Sequence, residues 1–409
     1  VNIYSDLRSK LGLYQTNRQD IKKEKKTNVP DIVEAAGGTV LSNDAGEFFV
    51  IEKHYGFEYN HGCCNLGHVL DMDLQSVLRV CKADGSPLHI SDLVFLDTET
   101  TGLSVGAGTV AFLIGIGFFT DTGFLLRQYF MRDYDEESAV LKDLNQTLST
   151  YKGLVTFNGK GFDWNLLQSR FVFNRQRLGM KDPVHLDLLY PSRMLWKQRL
   201  ESCRLSSLEE NILKVRRIDD IPGALVPGIY FKYLSHRNTP DILKVIHHNE
   251  LDILSLITLL IKINSILDNP LREAKNAWDL LAVAQIFEKY KEDKSAVSCY
   301  EKCLTSVNPA VRQASLKKLA FLHKGKKDYT NSVKYFETLL ACSGGPNIPV
   351  MIEIAKHYEH RAKDIPKAVK IIREAIDACL KTGFLRNMYY HELKKRFDRL
   401  NKKSQFYSQ

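Results

Sequence analysis

The sequence predicts an α/β domain, a mixed sheet flanked by helices, followed by an all-α repeat region. Three observations carry this expectation. Between Asp92 and Leu267 apolar strands alternate with amphipathic helices, one strand runs straight into a pair of acids, and beyond Asp268 the text is wholly helical and repeats itself. A chain of 409 residues is too long for one ordinary core. Four stretches are set apart: a polar lead-in over 1–36, a small β-rich segment over 37–90, the α/β domain over 91–268 and helical repeats over 269–409.

The lead-in holds the charged run QDIKKEKKTN and reads as flexible or helical. Alternating text follows, GTVLSNDAGEFFVIEKHYGFEY, which predicts one or two hairpins. HGCCNLGH then gathers His61, Cys63, Cys64 and His68, but without C-x-x-C spacing it favours packing and turn use over zinc. In the α/β domain LVFLDTE, VAFLIGIGFF and LLRQYFM read as strands. ESAVLKDLNQTLSTY is a helix by its apolar spacing, GLVTFNG a strand, GFDWNLLQSRFVFNRQ a helix and VHLDLLY a last strand or its end. DILKVIHHNELDILSLITLLIKI closes the domain as a long helix with a strongly apolar face.

Composition narrows the function classes. Hydrophobic residues at 44% and charged residues at 26% fit a folded chain, not a disordered one. The net charge of +9 favours a polyanionic partner, which nucleic acid or an anionic membrane surface would satisfy. No membrane span is expected, because the most apolar run, VAFLIGIGFF, falls far short of the ~20 residues a spanning helix needs. Eight scattered cysteines predict reduced thiols and a cytoplasmic location.

Asp97 and Glu99 carry the chemistry. Residues i and i+2 of a strand project to one face, so both carboxylates point to one spot at the carboxyl end of their strand. Ligands of open α/β sheets bind at that end. Two carboxylates set together repel unless a proton or a cation lies between them, and a hard cation such as Mg²⁺ or Mn²⁺ suits oxygen donors.

The longer strings resemble a known family. LDTETTGL resembles the first motif of the DnaQ-like, or DEDD, exonucleases, FNGKGFDWNLL the second and HHNELD followed by ILSL the third, in that order along the chain. The chain looks most like the YprB-like group of ribonuclease-H-like nucleases, which pairs such a domain with a helical repeat tail. The resemblance implies a ribonuclease-H-like fold and a 3′→5′ exonuclease using two Mg²⁺ ions, with Mn²⁺ as a substitute. Its ligands would be Asp97, Glu99, Asp163 and Asp252, with Asp97 bridging the two ions, Glu99 and Asp252 completing one site and Asp163 supporting the other. The general base would be a histidine, and two stand ready. His248 lies four residues before Asp252 and shares its helix face, while His247 sits at the five-residue offset of the family's histidine-containing branch. The substrate would be the 3′ end of DNA or RNA, with Leu103 wedged on the terminal base and Thr98 and Asn158 beside it. Leu103 as a core residue is the alternative.

Other residues admit plainer roles. Asp187 reads as a cap for the helix beginning near Tyr190. Lys214 to Arg217, with Arg193, Lys197 and Arg199, line a nucleic-acid path or a solvated face. Gly106, Ala107 and Gly108 make a turn or a close approach to the strand. In the tail, Ala296, Ser332 and Ala368 are evenly spaced, close to the ~34-residue period of tetratricopeptide repeats, so a protein partner is expected there. HELKKRFDRLNKK reads as a charged closing helix. Two functions of different class therefore stand: an exonuclease of DNA repair or nucleic-acid processing, or a nucleic-acid-binding scaffold whose nuclease domain no longer cuts.

Overall fold

A computed structural model describes residues 31–83, 87–102, 108–381 and 383–407. Leu103, Gly106, Ala107 and the lead-in before residue 31 lie outside the described residues. The chain divides into two compact units at Asp268/Asn269.

The first unit opens with a short helix, α1 (Ile32–Ala36), capped by the Asp31 carboxylate, which accepts the Ile32 amide at 2.7 Å. Strands β1 (Thr39–Asn43) and β2 (Gly46–Gly56) follow, then the two-residue strands β3 (Asn60–His61) and β4 (Cys64–Asn65) and helix α2 (Gln75–Val80). Next come β5 (Leu93–Thr100), β6 (Ala111–Thr120), β7 (Gly123–Phe130), α3 (Glu137–Leu148), β8 (Gly153–Thr156), α4 (Asp163–Phe173), β9 (Val184–Asp187) and α5 (Leu189–Trp196). The unit closes with α6 (Val226–His236) and α7 (Thr239–Asp268).

Seven strands form one mixed sheet in the order β1-β2-β7-β6-β5-β8-β9. The pairs from β1 to β5 are antiparallel, and β8 and β9 run parallel to β5. Residues 37–90, read from sequence as a separate β-rich segment, do not stand apart. β2 pairs with β7 from Phe49↔Phe130 to Gly56↔Gly123, so the first two strands extend the main sheet. Alternation marks a strand but says nothing of its partner.

Helix α7 fixes the site. It is 30 residues long and packs across β5, β6 and β7. Its middle stretch is buried on all sides, from Asp252 through Ile261, which the single apolar face expected from sequence understates. Two glycines of β6 admit it: a Cβ on Gly115 would stand 2.2 Å from Asn249 Oδ1, and one on Gly117 would stand 2.9 Å from Ile253 Cγ2. Helix α4 is anchored by a buried bidentate pair, Arg170 Nε and Nη2 each donating to Glu137 of α3 at 2.6 Å.

The second unit is all helical: α8 (Ala277–Lys289), α9 (Asp293–Cys303), α10 (Pro309–Gly325), α11 (Tyr329–Cys342), α12 (Ile348–His357), α13 (Ile365–Leu380) and α14 (Gly383–Tyr407). Consecutive helices pack on one another, and the evenly spaced Ala296, Ser332 and Ala368 are all buried. Pro309 opens α10 at its first turn, where a missing N–H costs no bond. The charged closing helix is tethered, since Arg399 and Lys403 each reach the buried Glu359 at 2.7 Å. Among the described residues no helix is long and apolar enough to cross a membrane.

Candidate active site

The acids come together from three elements. β5 delivers Asp97 and Glu99 to one face, with a register irregularity between Glu99 and Thr100 that ends regular pairing beside them. α4 begins with the buried Asp163, and the first half of α7 supplies His248 and Asp252 one helical turn apart. Ligand atoms of Glu99, His248 and Asp252 all lie within 4.8 Å of one another, and this is the one such histidine–carboxylate group among the described residues. Asp97 and Asp163 stand close by, near enough for their charges to act on Glu99 or on each other, but outside that tight group.

Asp97 and Asp163 are each held by a second group. Asn249 Nδ2 donates to Asp97 Oδ2 at 2.9 Å, and Asn249 Oδ1 accepts from Gln128 Nε2 at 2.8 Å. Thr98 Oγ1 donates to Asp163 Oδ1 at 2.5 Å. Thr98, expected at the substrate, is buried and bonded to Asp163. Asp187 accepts three backbone amides, Asn158 at 2.8 Å, Lys160 at 3.1 Å and Leu189 at 3.1 Å, so it pins the turn after β8 and caps α5. Asn158 sits exposed on that turn at φ 67°, a left-handed conformation asparagine tolerates.

The two histidines part company. His248 Nε2 lies 3.3 Å from Asp252 Oδ2 and 3.8 Å from Glu99 Oε1, and its Nδ1 is 2.6 Å from Asp220 Oδ1. The ring is thus held between carboxylates on both sides, and Arg217 Nη1 also lies 3.1 Å from Nδ1. His247 faces solvent at 58% exposure, with Glu250 Oε2 at 3.4 Å.

Arg217 is the residue that sequence undervalued. Its guanidinium, 8% exposed, donates to Asp252 Oδ1 and reaches Glu209 through Nε at 2.7 Å and Nη2 at 2.5 Å. Glu209 in turn accepts the Ser255 hydroxyl at 2.5 Å, and His61 Nε2 lies 2.9 Å from the same hydroxyl. His61 therefore packs onto the network behind the site, and HGCCNLGH forms no metal cluster among the described residues. From sequence the KVRR string reads as part of a nucleic-acid path or as a solvated face. Nothing in its text shows that one of its arginines turns inward, and Asn249 and Asp220 carry no motif signal beyond their neighbourhood to known acids.

Electrostatics favours a cation. Burial and the charges of Asp252, Asp163 and Glu99 push the Asp97 carboxyl well above its usual range, and burial with Asp252 and Asp163 does the same to Glu99. Burial lifts Asp163 to about 6 against the pull of its Thr98 hydrogen bond. Four acids with a single guanidinium leave uncompensated negative charge in a sheltered place. Oxygen donors with one imidazole nitrogen fit a hard divalent ion.

Comparison with known proteins agrees with this geometry. A model of the RNase_H_2 family, described as RNase_H superfamily, matches residues 94–264. The uncharacterized protein YprB of Bacillus subtilis (strain 168) is 30% identical over 341 residues, covering 80% of this chain and 81% of YprB. The family B DNA polymerase of the hyperthermophilic archaeon Pyrobaculum calidifontis aligns at 16% identity with a TM-score of 0.34, over 51% of this chain and only 30% of the polymerase. By its identity with YprB the chain belongs to the YprB family, and by the family model it carries an RNase H superfamily domain.

Proposed function

We propose that this protein is a divalent-metal-dependent nuclease of the DEDD type, hydrolysing phosphodiester bonds of DNA or RNA from the 3′ end. The carrying observation is the convergence of Asp97, Glu99, Asp163 and Asp252, drawn from three separate strings, beside His248. Those four carboxylates would hold two Mg²⁺ ions, or Mn²⁺ in their place. The ions, when bound, supply charge neutralisation and an activated water for an in-line displacement. His248 Nε2 takes the proton of the attacking water while Asp220 keeps the ring oriented through Nδ1. The 3′→5′ direction rests on the motif resemblance. Free thiols at all eight cysteines fit a cytoplasmic setting. The helical unit, with small buried residues at an even spacing, fits tetratricopeptide-like stacking that binds a protein partner.

One observation favours a second reading. Arg217 already places a cation on Asp252, which would suit a domain that binds nucleic acid without cutting it. Oligonucleotides of DNA and RNA labelled at either end separate the two. Cleavage is expected with Mg²⁺ or Mn²⁺, absent in EDTA, releasing mononucleotides from the 3′ end. Asp97→Asn should lower the rate by roughly a hundredfold or more. Undiminished cleavage by that variant overturns the site assignment, and equal cutting of a circular strand overturns the end requirement.

A further inference from the structure

Beside the acidic centre the described residues enclose a cleft of about 800 Å³ that the hydrolytic chemistry does not use. Its floor is the turn after β8, at Phe157 and Asn158. One wall is α5, and the other is the segment that follows it as far as Leu205. The same turn leads directly into Asp163, and the Asp187 carboxylate ties it to the start of α5. The cleft therefore opens where a chain threaded into the acids would leave them.

Its lining is of two kinds. Arg193, Lys197 and Arg204 are exposed, and none forms an ion pair with a carboxylate among the described residues. Other surface cations do pair, as Lys152 with Asp92 and Lys232 with Asp241, each at 2.8 Å. The Lys197 amide donates to the Arg193 carbonyl at 3.2 Å, so these two side chains share one helix face a turn apart. Against three cations the lining holds a single acid, Glu201. Between the charges the lining mixes polar groups, Asn158 and Ser202, with the half-buried Phe157 and Leu189.

Exposed cations without acidic partners suit backbone phosphates, and a partly exposed aromatic ring suits an unstacked base. A duplex keeps its base faces stacked inside and offers nothing to Phe157. The geometry points to this cleft as the track of a single polynucleotide strand leading to the acids, its phosphates on Arg193, Lys197 and Arg204 and a base against Phe157. The assignment rests on the nuclease reading for its direction but not for its binding.

Binding is therefore measured without hydrolysis, by fluorescence anisotropy of a labelled oligothymidylate on the full chain in EDTA. The joint variant Arg193→Gln, Lys197→Gln, Arg204→Gln is expected to bind at least tenfold more weakly. The slope of log affinity against log salt should fall by about 2, from three contacts at ~0.7 each on a single strand. The Arg193→Lys, Arg204→Lys variant, which keeps the charge, should stay within about threefold of wild type. Unchanged affinity and slope in the joint variant overturn the track. Should that variant melt early, Lys197→Gln alone decides, through a slope change of about 0.7 or none. A blunt duplex bound as tightly as the single strand overturns the single-strand assignment. Binding as described with no cleavage in any metal would leave the track standing and remove the nuclease reading alone.

Discussion

Arg217 shows what a single side chain holds together at this site. It bridges Glu209, whose side chain is 2% exposed, to Asp252, which lies 35 positions beyond Arg217 itself. Removing one partner of a buried pair strands the other charge, whereas removing both leaves a packing problem only. Arg217→Met should therefore cost about 3–5 kcal/mol in urea unfolding, while Glu209→Met with Arg217→Met should cost less, because only Asp252 is then left without its cation. A single variant as stable as the double would show that the network carries no net weight. The acids themselves were legible because strand text runs into Asp97 and Glu99 and because the later strings fall in order. Their supports were not. Asn249, Asp220 and Arg217 act across the fold, and linear text does not state which loop folds back on which helix. Sequence left His247 and His248 open; the structure turns His248 to the acids and His247 to solvent.

At the scale of elements, the register of β6 against α7 decides how closely the acids can approach. Gly115 lies opposite Asp97 on β6, and Asn249 of α7 occupies the space its side chain would need. Gly115→Ala must displace Asn249 and with it the hydrogen bond to Asp97 Oδ2. The expected cost is about 1–3 kcal/mol by thermal unfolding, with a larger fall in hydrolytic rate than the stability loss explains. Gly228→Ala in α6, where a Cβ meets nothing within 4 Å, serves as the control and should be neutral or slightly stabilising. β9 carries a pH dependence. His185 is buried with Nε2 at 2.8 Å from Thr156 Oγ1, and burial, with Lys160, lowers it to about 4 from an ordinary 6.5. A folded value below the unfolded one means the stability is whole above pH 6.5 and lost as pH falls towards 4. Urea midpoints between pH 7 and pH 4 should decline less in His185→Gln than in wild type, by about 2–3 kcal/mol over the range. Equal declines would place the acid sensitivity elsewhere. Strand and helix order from β5 to α7 could be read from periodicity, whereas the pairing of β2 with β7 could not, since a period of two fits any neighbour.

For the whole molecule the question is whether the helical unit takes part in chemistry. The site residues Asp97, Glu99, Asp163, His248 and Asp252 all precede Asn269, where the second unit begins. The first unit has its own core, running from Ile32 through the sheet to Ile246, and the helical unit has clusters of its own around Ile372 and Phe336. The recurrence of small residues that made the helical stretch legible from sequence describes packing inside that unit, where Ala296, Ser332 and Ala368 are buried. Units with separate cores can fold separately. A chain ending at Asp268 should therefore melt cooperatively and gain several degrees in melting temperature on adding Mn²⁺, because a cation relieves the repulsion among the acids. It should cleave short oligonucleotides at a rate within about threefold of the full chain, since no ligand or proton acceptor is removed. Binding to a protein partner would be the property it loses. A shortened chain that folds and takes up Mn²⁺ yet does not cleave, beside a full chain that does, would place part of the chemistry beyond Asp268.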